Sequence, residues 1–248
     1  ERPTHLYWNS KGLVAADAPA LTNVLKSEAV ERVEVLRLGG NRLGDEGAAA
    51  FAAAAAGGGM PRLKGLDLDH NQIGDAGMQA LASAFAGGAF RELECLSIGT
   101  EGETDNDIGD AGLIALAAAF AKGALPNLKY LNLINNNIRD EGLKALMGAA
   151  GAKGLPKLEK LILRVFAGLK LHDIVPWDAP IPSSTPSFGV ESLEAITEAI
   201  ENNNLPSLNV VEIEADFGDL STRAGRSSAI SPMSGGNRPI PWMNADFG

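Results

Sequence analysis

The chain has 248 residues, of which 45% are hydrophobic, and this is enough apolar material for one domain with a sizeable core. Its formal net charge of −10 argues against nucleic acid and anionic membrane surfaces as main partners, because both are themselves negatively charged. No apolar run reaches the ~20 residues needed to cross a membrane, and a single cysteine excludes an internal disulfide framework.

One strand–turn–helix pattern recurs along the chain. Its clearest copy, Leu128–Leu146, has the spacing L-x-x-L-x-L-x-x-N-x-I and continues into an aspartate and a helical pattern. Matching leucines recur at 30-residue steps from Leu36 to Leu66 and Leu96, and then at a 35-residue step to Leu131. No unit can bury both its strand face and its helix face alone. The sequence therefore predicts an α/β leucine-rich-repeat solenoid, a horseshoe with a parallel concave sheet and convex α-helices.

Two polar residues recur at fixed places in this unit. An asparagine where the chain leaves the strand is expected to bond free backbone groups between coils. An aspartate just before each helix is expected to cap that helix, at positions Asp45, Asp75, Asp110 and Asp140. Each helix is expected to bury apolar residues at helical spacing, and in the last helix these are Leu193, Ile196 and Ile200.

These units resemble the ribonuclease-inhibitor type of leucine-rich repeat. The resemblance rests on the long repeat and on the run I-G-D-A-G at 73–77 and 108–112, and it covers roughly residues 6–214. It implies full convex helices and protein partners held by the concave face and its rims. Extracellular leucine-rich repeats usually carry cysteine-stapled caps, whereas this chain has only Cys95. We therefore expect an intracellular protein, in the cytoplasm or in an organelle after removal of a transit peptide.

Residues 1–32 are predicted to form an N-terminal cap unit. Leu6 and Trp8 stand 30 residues before the core leucines of the next strand, which indicates a degenerate first strand. Lys11 departs from the pattern, since it stands where the other units have asparagine. Trp8 is expected to cover the core rather than to bind a partner.

The repeats are predicted to span residues 33–217, with two insertions. An acidic loop at 99–107 is expected to be a solvated rim, with calcium binding as the less favoured alternative. The insertion at 165–189 contains four prolines, which prevent regular structure over much of it. Its tip carries Val175 and Trp177, and the tryptophan either contacts a partner or folds back over the solenoid.

Residues 218–248 form a Gly-, Ser- and Pro-rich C-terminal tail, a composition typical of disorder. The run Pro239–Met243 supplies an apolar anchor around Trp242. We expect this anchor to hold the tail to a partner surface or to the insertion loop.

Alternation along the strands predicts which side chains the concave face presents. Charges of both signs with one aromatic suit a protein partner of matching pattern, although any such solenoid exposes some polar residues there. Together with the insertion tip and the tail anchor, they form the predicted partner-binding set of Arg37, Asp67, Asp69, Tyr130, Asn132, Lys160, Arg164, Val175, Trp177 and Trp242.

No catalytic or metal-binding pattern accompanies the repeats. The three histidines lack ligand-like spacing, and no phosphate-binding glycine motif is present. Asp67, Asp69 and His70 cluster at one strand end, but an open concave face excludes little water for acid–base chemistry. We therefore predict no enzyme activity, no cofactor and no metal.

Two functions fit these features. The favoured one is a non-catalytic protein–protein interaction scaffold, a subunit or linker of a larger complex. The alternative is a regulator of an enzyme, either a small-GTPase activator or a hydrolase inhibitor, since relatives with this repeat type do such work. The few clear repeats give a small concave surface, which favours the first.

Overall fold

The computed structural model describes residues 2–99, 106–165 and 190–215. Within these ranges, seven parallel strands form one open sheet whose spatial order follows the chain. The strands are β1 (His5–Tyr7), β2 (Val35–Arg37), β3 (Gly65–Asp67), β4 (Cys95–Ser97), β5 (Tyr130–Asn132), β6 (Lys160–Val165) and β7 (Val210–Ala215). The α-helices are α1 (Ala18–Leu25), α2 (Gly44–Ala56), α3 (Asp75–Ala86), α4 (Asp110–Ala121), α5 (Asp140–Gly151) and α6 (Val190–Glu201).

The sheet and its helices confirm the predicted α/β leucine-rich-repeat solenoid. Leu36 pairs with Leu66, and Leu66 with Leu96, so the 30-residue step is the register of the sheet. The degenerate first strand is confirmed as well, because Leu6 pairs with Leu36. The spine leucines are fully buried from β2 to β6, and the apolar faces of α3 and α4 pack on them. Trp8 packs against this core, as expected.

The repeated asparagines satisfy backbone groups of two coils at once, as predicted. The Asn71 amide nitrogen donates to the carbonyl oxygens of Leu38 (3.0 Å) and Leu68 (3.2 Å), one from each of two neighbouring repeats. Its carboxamide oxygen accepts the backbone N–H of Leu43 at 3.4 Å. Asn41, Asn106 and Asn136 make equivalent bonds. Since buried polar groups are costly without partners, this ladder fixes where each coil sits on the previous one.

The aspartates do not cap their own helices, and that expectation is wrong. Asp75 is itself the first residue of α3, and its Oδ1 accepts N–H groups from Gly109 (2.8 Å) and Gly112 (2.7 Å) at the start of α4. Asp45 and Asp110 reach the next repeat in the same way. Because a residue inside the first turn points sideways rather than over its own helix end, it bonds the free N–H groups of the neighbouring helix.

Glycine at the third helical position makes room for this contact. A Cβ on Gly112 would lie 2.8 Å from Asp75 Oδ1 and 2.9 Å from Ile108 Cγ2. Gly77 and Gly142 face the preceding aspartate equally closely. The run I-G-D-A-G is therefore explained by packing between coils.

Most of the insertion at 165–189, the acidic loop at 99–107 and the tail at 218–248 lies outside the described residues. Their predicted roles, and the division of the chain at these boundaries, stay predictions. No helix in the described ranges is long and apolar enough to span a bilayer.

Asn136→Ala should lower the free energy of unfolding by about 1–3 kcal/mol, because it removes a buried donor from the Leu133 carbonyl and one of the two side-chain donors from the Ile98 carbonyl, which keeps its bond from Asn106. Asn137→Ala is the matched control, because Asn137 follows Asn136 directly and its side chain is exposed. Denaturant unfolding measures both, and equal midpoints for the two variants would contradict a structural role for the ladder.

Gly112→Ala should destabilise the fold by about 1–3 kcal/mol, since its methyl group overlaps the Asp75 carboxylate. Gly148→Ala in α5 is the control, because its Cβ meets nothing within 4 Å. The control should instead stabilise by about 0.5–1 kcal/mol through helix propensity. Thermal melts of both variants measure the two effects. A higher melting temperature for Gly112→Ala than for wild type would show that the close approach is not required.

Candidate functional site

The pairing register aligns the concave side chains in two rows across the sheet. One row runs through the positions of His5, Val35, Gly65, Cys95, Tyr130 and Lys160, and the other through those of Tyr7, Arg37, Asp67, Ser97, Asn132 and Ile162. Both rows lie on the face opposite the leucine spine, since strand side chains alternate. The predicted concave residues of β2, β3, β5 and β6 therefore share one surface.

The side chains in the middle of this surface are buried. Tyr130 is only 1% exposed and packs with Cys95, Ile134 and Ile162 in a cluster separate from the main core. Asn132 is buried, donates to Ser97 Oγ (3.2 Å) and accepts the Ile134 N–H (3.0 Å).

The expectation that Tyr130 and Asn132 are accessible contact residues is therefore wrong. Alternation gives the direction of a side chain but not its depth, and apolar or hydrogen-bonded neighbours on adjacent strands bury both residues.

The N-terminal end of the concave face is open and carries an aromatic residue. Tyr7 is 43% exposed, and the Arg37 guanidinium lies 5.7 Å from the centroid of its ring. The His5 ring stacks on the Tyr7 ring, with 6.1 Å between the ring centroids. A cation over an aromatic face is attracted by the ring quadrupole, which holds both side chains in one geometry.

Tyr7 is absent from the predicted binding set, although the sequence contains the signal for it. It stands between the inward residues Leu6 and Trp8, and the 30-residue step places it beside Arg37. Applying the same alternation to the degenerate first strand would have found it.

Asp67 lies beside this pair with its carboxylate half-buried. Its Oδ2 accepts from Asn9 Nδ2 at 3.3 Å and its Oδ1 from the Asp69 backbone N–H at 3.0 Å. Burial raises the pKa of Asp67, while the Asp69 N–H and the Arg37 charge act in the opposite direction without cancelling the effect. Gly39 allows the close packing, because a Cβ there would lie 2.9 Å from Asp67 Oδ1.

The remaining predicted site residues are dispersed. Asp69 is half-buried and accepts a hydrogen bond from Ser97 Oγ at 3.0 Å, and Lys160 is half-buried beyond the buried middle of the surface. In the described ranges, no group of three or more histidine, cysteine or acidic side chains is arranged to hold a metal ion. The Arg164 side chain and residues Val175, Trp177 and Trp242 lie outside the described part.

Four segments of the chain match a family model described as a leucine-rich repeat, at residues 33–52, 61–82, 104–117 and 124–147. These matches and the solenoid agree in showing that the chain contains leucine-rich repeats. Domains of this class are generally protein–protein interaction modules. A search of curated proteins finds no match to the chain.

Asp67→Asn should raise the melting temperature at pH 7. The folded state holds the Asp67 proton more tightly than the unfolded chain does, so stability falls as pH rises from its ordinary pKa of 3.8 through the raised value. The gain should vanish below pH 3.8, where both states are protonated. Melts across this range test it against Asp107→Asn, an exposed control; a lower melting temperature for Asp67→Asn at pH 7 would contradict the assigned burial effect.

Proposed function

We propose that this protein is a non-catalytic protein–protein interaction scaffold, a subunit or linker of a larger complex. Its main contact is the N-terminal concave patch, defined as Tyr7, Asn9, Arg37 and Asp67. The observation that carries the proposal is the exposed Tyr7 ring held beside the Arg37 guanidinium. Tyrosine and arginine are enriched among residues that dominate interface energies, and a pre-positioned pair loses little side-chain freedom on binding.

The Asp67 carboxylate indicates the chemistry of the partner. Burial raises the pKa of Asp67 even with Arg37 nearby, so a further positive charge would favour its ionised form. A lysine or arginine brought in by a partner would lower the pKa of Asp67 and strengthen binding. The patch thus suits a protein surface with a basic side chain beside an apolar group that covers Tyr7.

We also propose a secondary set of partner contacts and a repeat subtype. We propose Asp69, Lys160 and Arg164 as flanking contacts, with Val175 and Trp177 on the insertion and Trp242 on the tail. Convex helices of 12 or 13 residues in α2 to α5 support the ribonuclease-inhibitor type. The single cysteine supports an intracellular location, and the net charge of −10 supports a protein rather than a nucleic-acid partner.

The proposal is tested by affinity capture from a native lysate with wild type, Tyr7→Ala and Arg37→Glu. We expect one protein to be captured by wild type and lost, about tenfold or more, with either variant, since each removes an interface anchor. Lys122→Glu is the control, because it reverses a charge at an exposed position after α4 on the convex side.

Two further outcomes are informative. Equal capture by wild type and both patch variants, combined with loss when a short linker replaces residues 166–189, would move the contact to the insertion. A captured enzyme whose turnover changes on binding would support the alternative, a small-GTPase activator or hydrolase inhibitor. Both functions would be contradicted if the wild-type protein captures nothing and has the mass of a monomer by light scattering after native purification.

A further inference from the structure

The C-terminal end of the solenoid exposes an apolar position that every earlier repeat buries. The eleventh residues of α3, α4 and α5 are Phe85, Phe120 and Ala150, and all three are buried under the following repeat. The eleventh residue of α6 is Ile200, and it is 46% exposed. The expectation that Ile200 is buried is therefore wrong, because in the described chain no helix follows α6 to cover it.

The strand side of the same repeat shows the same loss of cover. Leu158 and Leu161 are fully buried in the β6 repeat, whereas their counterparts Leu208 and Val211 in the β7 repeat are only half-buried. Ile200, Leu208 and Val211 are thus incompletely covered apolar residues of the last described repeat, and this set is called the terminal face. Apolar residues that one end of a core leaves uncovered are candidates for an interaction site.

We propose that the terminal face is covered by the chain's own residues 220–243. This segment begins five residues after β7 ends at Ala215, so it is tethered beside the surface. Its 24 residues reach up to ~3.3 Å each when extended, which spans any point of one repeat. It also carries Ile240, Trp242 and Met243, apolar side chains able to cover Ile200.

The charges of helix α6 and of the segment are opposite in sign. Glu194, Glu198 and Glu201 are exposed on α6, the helix that carries Ile200. Residues 220–243 contain three arginines and no acidic residue, in a chain whose net charge is −10. Tethering raises the effective concentration of the segment at this surface, which favours it over a second copy or a separate protein as the occupant. The contact lies away from the N-terminal concave patch and does not depend on the proposed function.

Trypsin cleavage of the intact folded chain tests this contact directly. Arg223 and Arg226 are followed by alanine and serine and are cleavable, whereas Arg238 precedes proline. A docked segment should be cut at Arg223 and Arg226 at least about tenfold more slowly than a synthetic peptide of residues 216–248, because cleavage requires release from the surface. Ile200→Asp and Trp242→Ala should each restore the peptide rate.

The matched control is Ile114→Asp, which changes an isoleucine 44% exposed on α4, outside the terminal face, and should leave the protection intact. Trp242→Ala keeps the test valid if Ile200→Asp unfolds α6, since it changes only the tail. Cleavage of wild type at the peptide rate would overturn the proposal, and so would equal protection in all variants. Protection that rises with protein concentration would also overturn it, since the occupant would then be a second copy.

Discussion

Side chains that satisfy the backbone of two coils at once hold this solenoid together. β1 to β5 are only three residues long, so the sheet alone supplies few bonds between neighbouring units. The asparagines donate hydrogen bonds to carbonyl groups at the strand ends, and the aspartates accept hydrogen bonds from the first N–H groups of the next helix. Glycine at the third helical position lets the carboxylate approach, which explains why the glycine recurs with the aspartate. These contacts between coils fix the positions of the strands and therefore the spacing of the concave side chains.

Much of the frame could be predicted from spacing alone. A constant step between leucines sets the register, so the sequence alone is enough to align Leu36, Leu66 and Leu96. The partner of each aspartate could not, because two helix starts lie within reach of a first-turn carboxylate and only packing selects between them. Glycine at position 112 was the missed signal, since it leaves room on the side of the preceding repeat.

The candidate site was predicted less well, since alternation determines direction and burial is a property of neighbours. Arg37 and Asp67 lie on the open part of the face, whereas Tyr130 is packed among apolar side chains of adjacent strands. The two ends of the solenoid also differ in chemistry. The N-terminal end presents an aromatic–cation pair beside a carboxylate whose pKa is raised by burial, and the last described repeat presents apolar residues. A protein with such ends suits a role in holding another macromolecule by one surface.

Photo-cross-linking from position 7 tests the central claim most directly, namely that the N-terminal concave patch contacts a protein partner. Tyr7 is replaced by a photo-reactive phenylalanine analogue, and Lys122 on the convex side receives the same group in a second protein. After irradiation in native extract, we expect one discrete cross-linked species from position 7 and none from position 122. An equal pattern from both positions, or no species from position 7 while position 122 captures one, would contradict the claim.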